Sequence, residues 1–208
     1  MVAFDNTILS LLIFPDAELQ QGSDGQKVEH ARERVLGLVQ QIEEARDQVI
    51  VPTPALSELL VTEGVDVQDV LTTLRSSAYI RIESFDERAA VELAMRLRDA
   101  RKAGDQREGL PITKSAMKFD RQIVAIALVS GVTILYSDDD AVAMFATGCG
   151  LKVKRSSTYP FRRRNSPSRF RRPTQYRGHH SKRKFSRLPS LPCKRNLRQA
   201  RSNSGQRS

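Results

Sequence analysis

The stretch FDRQIVAIALVSGVTILYSDDD, residues 119–140, decides the fold because it contains a helix pattern followed directly by a strand pattern. Residues 119–131 predict a helix that ends at Gly131. Residues 132–137, VTILYS, predict an apolar strand, and three aspartates follow it. A helix that leads into an apolar strand is the unit from which parallel sheets covered by helices are built. The stretch therefore predicts an α/β fold.

The same alternation of helices and strands continues outward over the first 154 residues. Further strands are predicted at 2–4, 49–51, 79–85 and 151–153. Further helices are predicted at 8–15, 27–47, 55–64, 66–77, 86–103 and 139–150. This order predicts a three-layer α/β/α sandwich with a central, mainly parallel sheet.

The charge is divided unevenly along the chain. Residues 155–208 contain 17 Lys or Arg and no Asp or Glu, so residues 1–154 hold the other 17 basic residues and all 24 acidic ones. We therefore predict an acidic domain, 1–154, followed by a disordered Arg/Ser/Pro-rich tail, 155–208. Such a tail either binds nucleic acid electrostatically or adds little specific function.

Membrane and secreted classes are not expected. The longest apolar runs, residues 123–129 and 11–14, are shorter than the roughly 18 residues of a membrane-spanning helix. The N-terminus shows no pattern of a signal peptide. Cys149 and Cys193 have no metal-type spacing and do not indicate a disulfide framework. We expect a cytoplasmic protein without a membrane partner.

Acidic residues recur close to the predicted strand ends. Asp5 follows the first strand, Glu58 lies one turn into the helix after the second, and Asp120 begins the helix before VTILYS. The triple Asp138–Asp140 follows VTILYS directly. In a parallel sheet these carboxylates meet at one edge, where ligands bind. Their mutual repulsion would be relieved by a divalent cation, and ligands that are all oxygen suit Mg²⁺ or Mn²⁺.

Each acid also has a structural interpretation. Asp5 is a candidate helix cap, and one member of the Asp138–Asp140 triple is a candidate cap for the helix from Ala141. Glu58 and Asp120 are each candidates for a first-turn acid that the helix dipole favours. These alternatives stay open on the sequence alone.

Four segments resemble the successive motifs of PIN-domain proteins, with VapC-type toxins of bacterial toxin–antitoxin pairs as the most similar group. They are VAFDNTILS (2–10), VIVPTPALSELL (49–60), KFDRQIVAIALVSGVTILYSDDD (118–140) and GLKV (150–153). The resemblance covers residues 2–153 and excludes the basic tail. It implies a Mg²⁺-dependent ribonuclease that hydrolyses RNA phosphodiester bonds.

The resemblance also implies a set of site residues. The four catalytic acids matched by motif are Asp5, Glu58, Asp120 and Asp139, and the metal ligands among them are Asp5, Asp120 and Asp139. A cognate antitoxin and a homodimer partner are implied as well, with contacts in the variable helical region 22–48.

Further residues of the expected site support these acids. Ser137 and Asn6 are expected to orient the acids or a water from outside the metal ligand set. Asp138 and Asp140 are possible substitutes for Asp139 in the acidic triple. Lys114 and Lys118 lie before Asp120 and either contact substrate phosphate or are solvated surface residues.

Two other functions remain as alternatives. FDNTILS (4–10) is similar to the nucleophile motif of haloacid-dehalogenase-type phosphatases, but Thr7 stands where those enzymes have a second aspartate. The other alternative is a catalytically silent protein that binds RNA or an antitoxin.

Overall fold

The computed structural model describes residues 1–15, 17, 28–62, 65–102 and 114–159. Five strands form one sheet in the order β3-β2-β1-β4-β5, and every neighbouring pair is parallel. The strands are β1 (Val2–Phe4), β2 (Val49–Pro52), β3 (Ile80–Glu83), β4 (Ile134–Tyr136) and β5 (Lys152–Lys154). The predicted α/β sandwich around a parallel sheet is confirmed.

Seven helices surround this sheet in the described residues. They are α1 (Asn6–Ile13), α2 (Ala31–Glu44), α3 (Thr53–Leu60), α4 (Val67–Ser76), α5 (Glu87–Lys102), α6 (Lys114–Val129) and α7 (Asp140–Gly148). Aspartate side chains cap four of the N-termini, those of α1, α4, α5 and α7. None of the helices in the described ranges is both long and apolar enough to cross a membrane.

The core lies on both faces of the central strand. All three residues of β1 are buried, and Phe4 is 0% exposed. Ile8 of α1 and Ile126 of α6 are also 0% exposed. Full burial of a side chain of this size stabilises the folded protein by roughly 1.5–3 kcal/mol, so α1 and α6 stabilise the sheet by packing against it.

The helix before β4 starts earlier than predicted. α6 begins at Lys114, whereas the sequence predicted a start at Phe119 and assigned the preceding residues to a polar loop. Residues 114–117, KSAM, contain no glycine or proline, so nothing stops the helix from extending back over them. Asp120 therefore lies beyond the first turn, which rules out its interpretation as an N-terminal dipole partner. The predicted glycine stop is confirmed, because Gly131 follows the helix with a φ of 71°.

The sheet order creates a crevice between two adjacent strands. The chain runs from β1 to β2 and β3 on one side, then returns to β4 and β5 on the other side of β1. Phe4 of β1 pairs with Tyr136 of β4, so Asp5 and Ser137 follow at the same level of the sheet. Such a change of direction is where open parallel sheets bind ligands.

The chain stays folded past the last strand. Residues Ser156–Thr158 form a 3₁₀ turn, and Ser156 is 3% exposed. The structure thus places 155–159 with the domain, whereas the sequence began the tail at 155. The predicted disorder of the rest of the tail, 160–208, lies outside the described residues.

Candidate functional site

Asp5 is a buried carboxylate that caps a helix with one oxygen. It is 2% exposed, and its Oδ1 accepts hydrogen bonds from the Ile8 amide at 3.1 Å and from Thr7 Oγ1 at 2.7 Å. Its Oδ2 accepts a hydrogen bond from Ser137 Oγ at 2.5 Å. These three bonds use three of the roughly four lone-pair positions of a carboxylate, which leaves one on Oδ2. The cap interpretation is confirmed, and one lone-pair position on Oδ2 remains open for a further partner.

Burial determines the ionisation of Asp5. It raises the pKa of this carboxyl from 3.8 to about 7, and the charge of Asp138 acts in the same direction. The hydrogen bonds from Ser137, Thr7 and Ile8 lower the pKa but do not offset the burial. The partners of Asp5 are two hydroxyls and an amide, so no positive charge among them compensates the carboxylate.

The loop after β4 is tied to Asp5 by its backbone. The Asp138 amide donates to Thr7 Oγ1 at 2.9 Å, and the Asp139 amide donates to Ser137 Oγ at 3.1 Å. The two hydroxyls that donate to Asp5 are therefore themselves oriented by this loop. The order of the strands and these bonds fix where the acidic triple begins.

The side chain of Asp138 contacts the segment that follows β5. Its Oδ1 accepts a hydrogen bond from the Ser156 amide at 3.0 Å. Its Oδ2 is buried and has no hydrogen-bond partner among the described residues. Burial raises the pKa of Asp138, although hydrogen bonding to Ser156 and the charge of Arg155 lower it. Asp138 thus presents a buried oxygen without a partner close to Asp5.

Asp139 and Asp140 have different surroundings. Asp139 caps α7, with Oδ1 accepting from the Ala141 amide at 2.7 Å and the Val142 amide at 3.0 Å. Asp140 forms an ion pair with Arg155 at 2.6 Å. The predicted cap in the triple is therefore Asp139, the residue that the motif also selects as the site acid.

Glu58 interacts electrostatically with the same loop. It is partly buried on α3, which begins at Thr53 and not at residue 55 as predicted, so Glu58 lies beyond the first turn and its interpretation as a first-turn dipole partner is wrong. Burial, together with the smaller effect of the charge of Asp139, raises its pKa from 4.5 to about 7. The structure thus brings Glu58 into the field of Asp139, as it brings Asp5 into the field of Asp138.

The other predicted site residues lie on α6 and α1. Asp120 is half-buried on α6, and α6 packs against α3, the helix of Glu58. Lys118 is exposed on α6, while the side chain of Lys114 lies outside the described residues. Asn6 Oδ1 accepts a hydrogen bond from Ser10 Oγ within α1, at 3.3 Å.

Thr7 is the site residue that the sequence did not identify as such. It lies two positions after Asp5, donates to that carboxylate and accepts from Asp138. A hydroxyl two residues after a capping aspartate is a local signal for this contact, but its bond to the β4 loop requires the tertiary fold.

The oxygens of this site fit a hard divalent cation. Within the described residues, no three His, Cys, Asp or Glu side chains form a complete set of metal ligands. Mg²⁺ does not require one, because it keeps several waters and is usually bound through one or two carboxylates. The partnerless Asp138 Oδ2 and the open position on Asp5 Oδ2 are donors of this type.

Comparison of the chain with protein-family models and with curated proteins gave no match.

Proposed function

We propose that the chain is a metal-dependent ribonuclease of the PIN type, with Glu58 as the fourth acid and with Mg²⁺ or Mn²⁺ held through one or two carboxylates and waters. Asp5 is the first of these carboxylates, and the second comes from Asp120, from Asp139 or from its neighbour Asp138. The observation that carries this proposal is the buried Asp5 carboxylate. A buried charge without a counter-charge is costly, and a cation at this crevice would compensate it.

The protein's own groups prepare the site for such an ion. Thr7 and Ser137 hold Asp5 by a hydroxyl on each oxygen, so its open lone pair keeps a fixed direction. The cap of α7 fixes Asp139 in the same way. When bound, the ion would lower the pKa of a water and neutralise charge that develops on a phosphate.

Glu58 is suited to proton transfer at neutral pH. Its pKa of about 7 means that it gains and loses a proton readily at that pH. In the proposed reaction it would accept the proton of the attacking water. No histidine is needed for this role.

RNA as the substrate, a cognate antitoxin and a homodimer are proposals that rest on the family resemblance. The 17 basic residues of 155–208 support a polyanionic substrate, because each Lys or Arg that neutralises a phosphate adds salt-dependent affinity.

The test is RNA cleavage by the purified chain with Mg²⁺, with a chelator, and in the variant Asp5→Asn. Cleavage that needs the cation and falls at least a hundredfold in Asp5→Asn is expected. The matched control is Asp66→Asn, which changes the exposed capping aspartate of α4 and leaves the crevice intact. Equal cleavage by both variants would refute the proposal. Metal-independent RNA binding without cleavage would favour the silent binder, and hydrolysis of a phenyl phosphate would favour the phosphatase.

A further inference from the structure

The turn after β5 is attached to the domain at several separate points. Arg155 pairs with Asp140, and the Ser156 amide donates to Asp138. Tyr159 shares a hydroxyl–hydroxyl hydrogen bond with Tyr136 of β4, and its carbonyl accepts from Arg34 of α2. We call residues 155–159 the latch.

From the latch, a continuous series of hydrogen bonds leads to Asp5. The Ser156 amide donates to Asp138 Oδ1 at 3.0 Å, and the Asp138 amide donates to Thr7 Oγ1 at 2.9 Å. Thr7 Oγ1 in turn donates to Asp5 Oδ1 at 2.7 Å. The first two steps join different segments of the chain, so the series crosses from the turn after β5 to the loop after β4 and then to α1.

We propose that the latch positions the site acids, with the Ser156 amide acting on Asp5 through Asp138 and Thr7. The latch lies beyond the last strand and outside the region that resembles the PIN family, so the site extends past that region. The consequence for metal binding rests on the proposed function, whereas the consequence for the rigidity of the β4 loop does not.

The geometry gives Ser156 this role through its backbone. Ser156 is 3% exposed, so water does not replace its amide as a donor to Asp138. Among the described residues, the Ser156 amide donates to Asp138 Oδ1, whereas Asp138 Oδ2 and the Ser156 hydroxyl are both buried without a hydrogen-bond partner. Loss of the Ser156 amide would remove this bond from the Asp138 carboxylate, and the Ser156 hydroxyl does not replace it.

A matched pair of variants isolates that amide. Ser156→Pro removes the N–H at the first position of the 3₁₀ turn, where proline is tolerated. Arg155 before it has φ −92° and ψ 155°, a conformation compatible with a following proline. Ser156→Ala keeps the amide and removes only the hydroxyl.

The first measurement is hydrogen exchange of single amides by NMR without metal. In Ser156→Pro, the Asp138 and Ile8 amides are expected to exchange about tenfold faster, which corresponds to one lost hydrogen bond. In Ser156→Ala they keep the wild-type rate. Equal exchange rates in Ser156→Pro and wild type, or equal acceleration in both variants, would refute the proposed role of the latch.

A second pair of variants, Arg34→Ala and its control Arg32→Ala, tests the latch if Ser156→Pro does not fold. Arg34→Ala removes the donor to the Tyr159 carbonyl, whereas Arg32→Ala removes a donor to Phe14 from the same helix. Faster exchange at Asp138 is expected in Arg34→Ala alone. The same rate in both variants contradicts the proposal.

The second measurement is titration with Mn²⁺, followed by its paramagnetic signal. Ser156→Pro is expected to weaken Mn²⁺ binding about tenfold relative to Ser156→Ala, as loss of an outer hydrogen-bond partner does at other metal sites. Unchanged affinity contradicts the consequence for metal binding. If the wild-type chain binds no Mn²⁺, the proposed function fails, and hydrogen exchange alone still decides on the latch.

Discussion

Replacing Asp5 by asparagine should stabilise the metal-free protein at alkaline pH. Asparagine has nearly the shape of the aspartate, and its oxygen can still accept from Thr7 and Ile8. Its amide nitrogen would face Ser137 Oγ, a group able to accept as well as donate. The substitution therefore removes the charge and keeps most of the cap.

The magnitude follows from the pKa of Asp5. Raising it from 3.8 to about 7 corresponds to about 4 kcal/mol of unfavourable free energy for the ionised form in the folded protein. Exchanging the hydrogen bond with Ser137 for one with reversed polarity costs about 1 kcal/mol. We therefore expect Asp5→Asn to raise the free energy of unfolding by about 2–3 kcal/mol at pH 8.

The effect depends on pH in one direction. The folded protein binds the proton of the Asp5 carboxyl more tightly than the unfolded chain does. The contribution of Asp5 to the free energy of unfolding of the wild type is therefore greatest below pH 3.8. It falls as the pH rises to about 7 and is constant above that value. The gain of Asp5→Asn should therefore be near zero at pH 4 and reach its maximum at pH 8.

The assay is urea unfolding followed by circular dichroism between pH 4 and pH 8 with a chelator present. Asp66→Asn is the control, because aspartate and asparagine are nearly equal as exposed caps, and it should change stability by less than about 0.5 kcal/mol. Millimolar Mg²⁺ should then stabilise the wild type and leave Asp5→Asn unchanged. A loss of stability in Asp5→Asn at pH 8, or a gain that does not vary with pH, would refute the reasoning.

Three further predictions concern the surroundings of Asp5. Thr7→Val should lower the free energy of unfolding by about 1–2 kcal/mol in urea titrations, because it removes the hydroxyl between Asp5 and Asp138, and Thr7→Ser should restore most of it. Asp139→Asn should lower the pKa of Glu58 from about 7, measured by carboxyl NMR without metal, because it removes the neighbouring charge; an unchanged pKa would place the two acids apart. Truncation after residue 159 should leave the melting temperature unchanged, whereas truncation after residue 154 removes the latch and should lower the free energy of unfolding by a few kcal/mol.

The fold could be predicted from the sequence because the patterns that indicate its strands and helices extend over only a few residues. The apolar strands are flanked by caps and by Gly131, and each of these acts over a few residues. The start of α6 was wrong because KSAM carries neither a helix-stopping residue nor a clear apolar pattern. The absence of glycine and proline permits a helix there but does not fix its first residue, so the start could not be predicted from the sequence.

Only part of the candidate site could be predicted from the sequence. The acids were recognised by their positions after strands, and Ser137 by its place in the motif. The contact between Ser156 and Asp138 joins residues that follow β5 and β4, two strands that only the sheet order brings together, so no spacing in the sequence predicts it. The role of Thr7 was overlooked because its bond with Asp138 forms only when β1 and β4 are adjacent, although its contact with Asp5 is local.

Asp5 and Asp139 both cap helices, and a capping role is compatible with the proposed role as a metal ligand, which changes how the acids should be tested. Asp5 and Asp139 each accept hydrogen bonds from the first amides of a helix through Oδ1, which leaves Oδ2 outside the cap. Alanine at either position would remove the cap, at a cost of about 1 kcal/mol, together with the proposed ligand. Asparagine keeps an accepting oxygen for the helix and removes the charge. A variant that folds at least as well as the wild type and binds no cation would therefore assign the loss to the carboxylate itself.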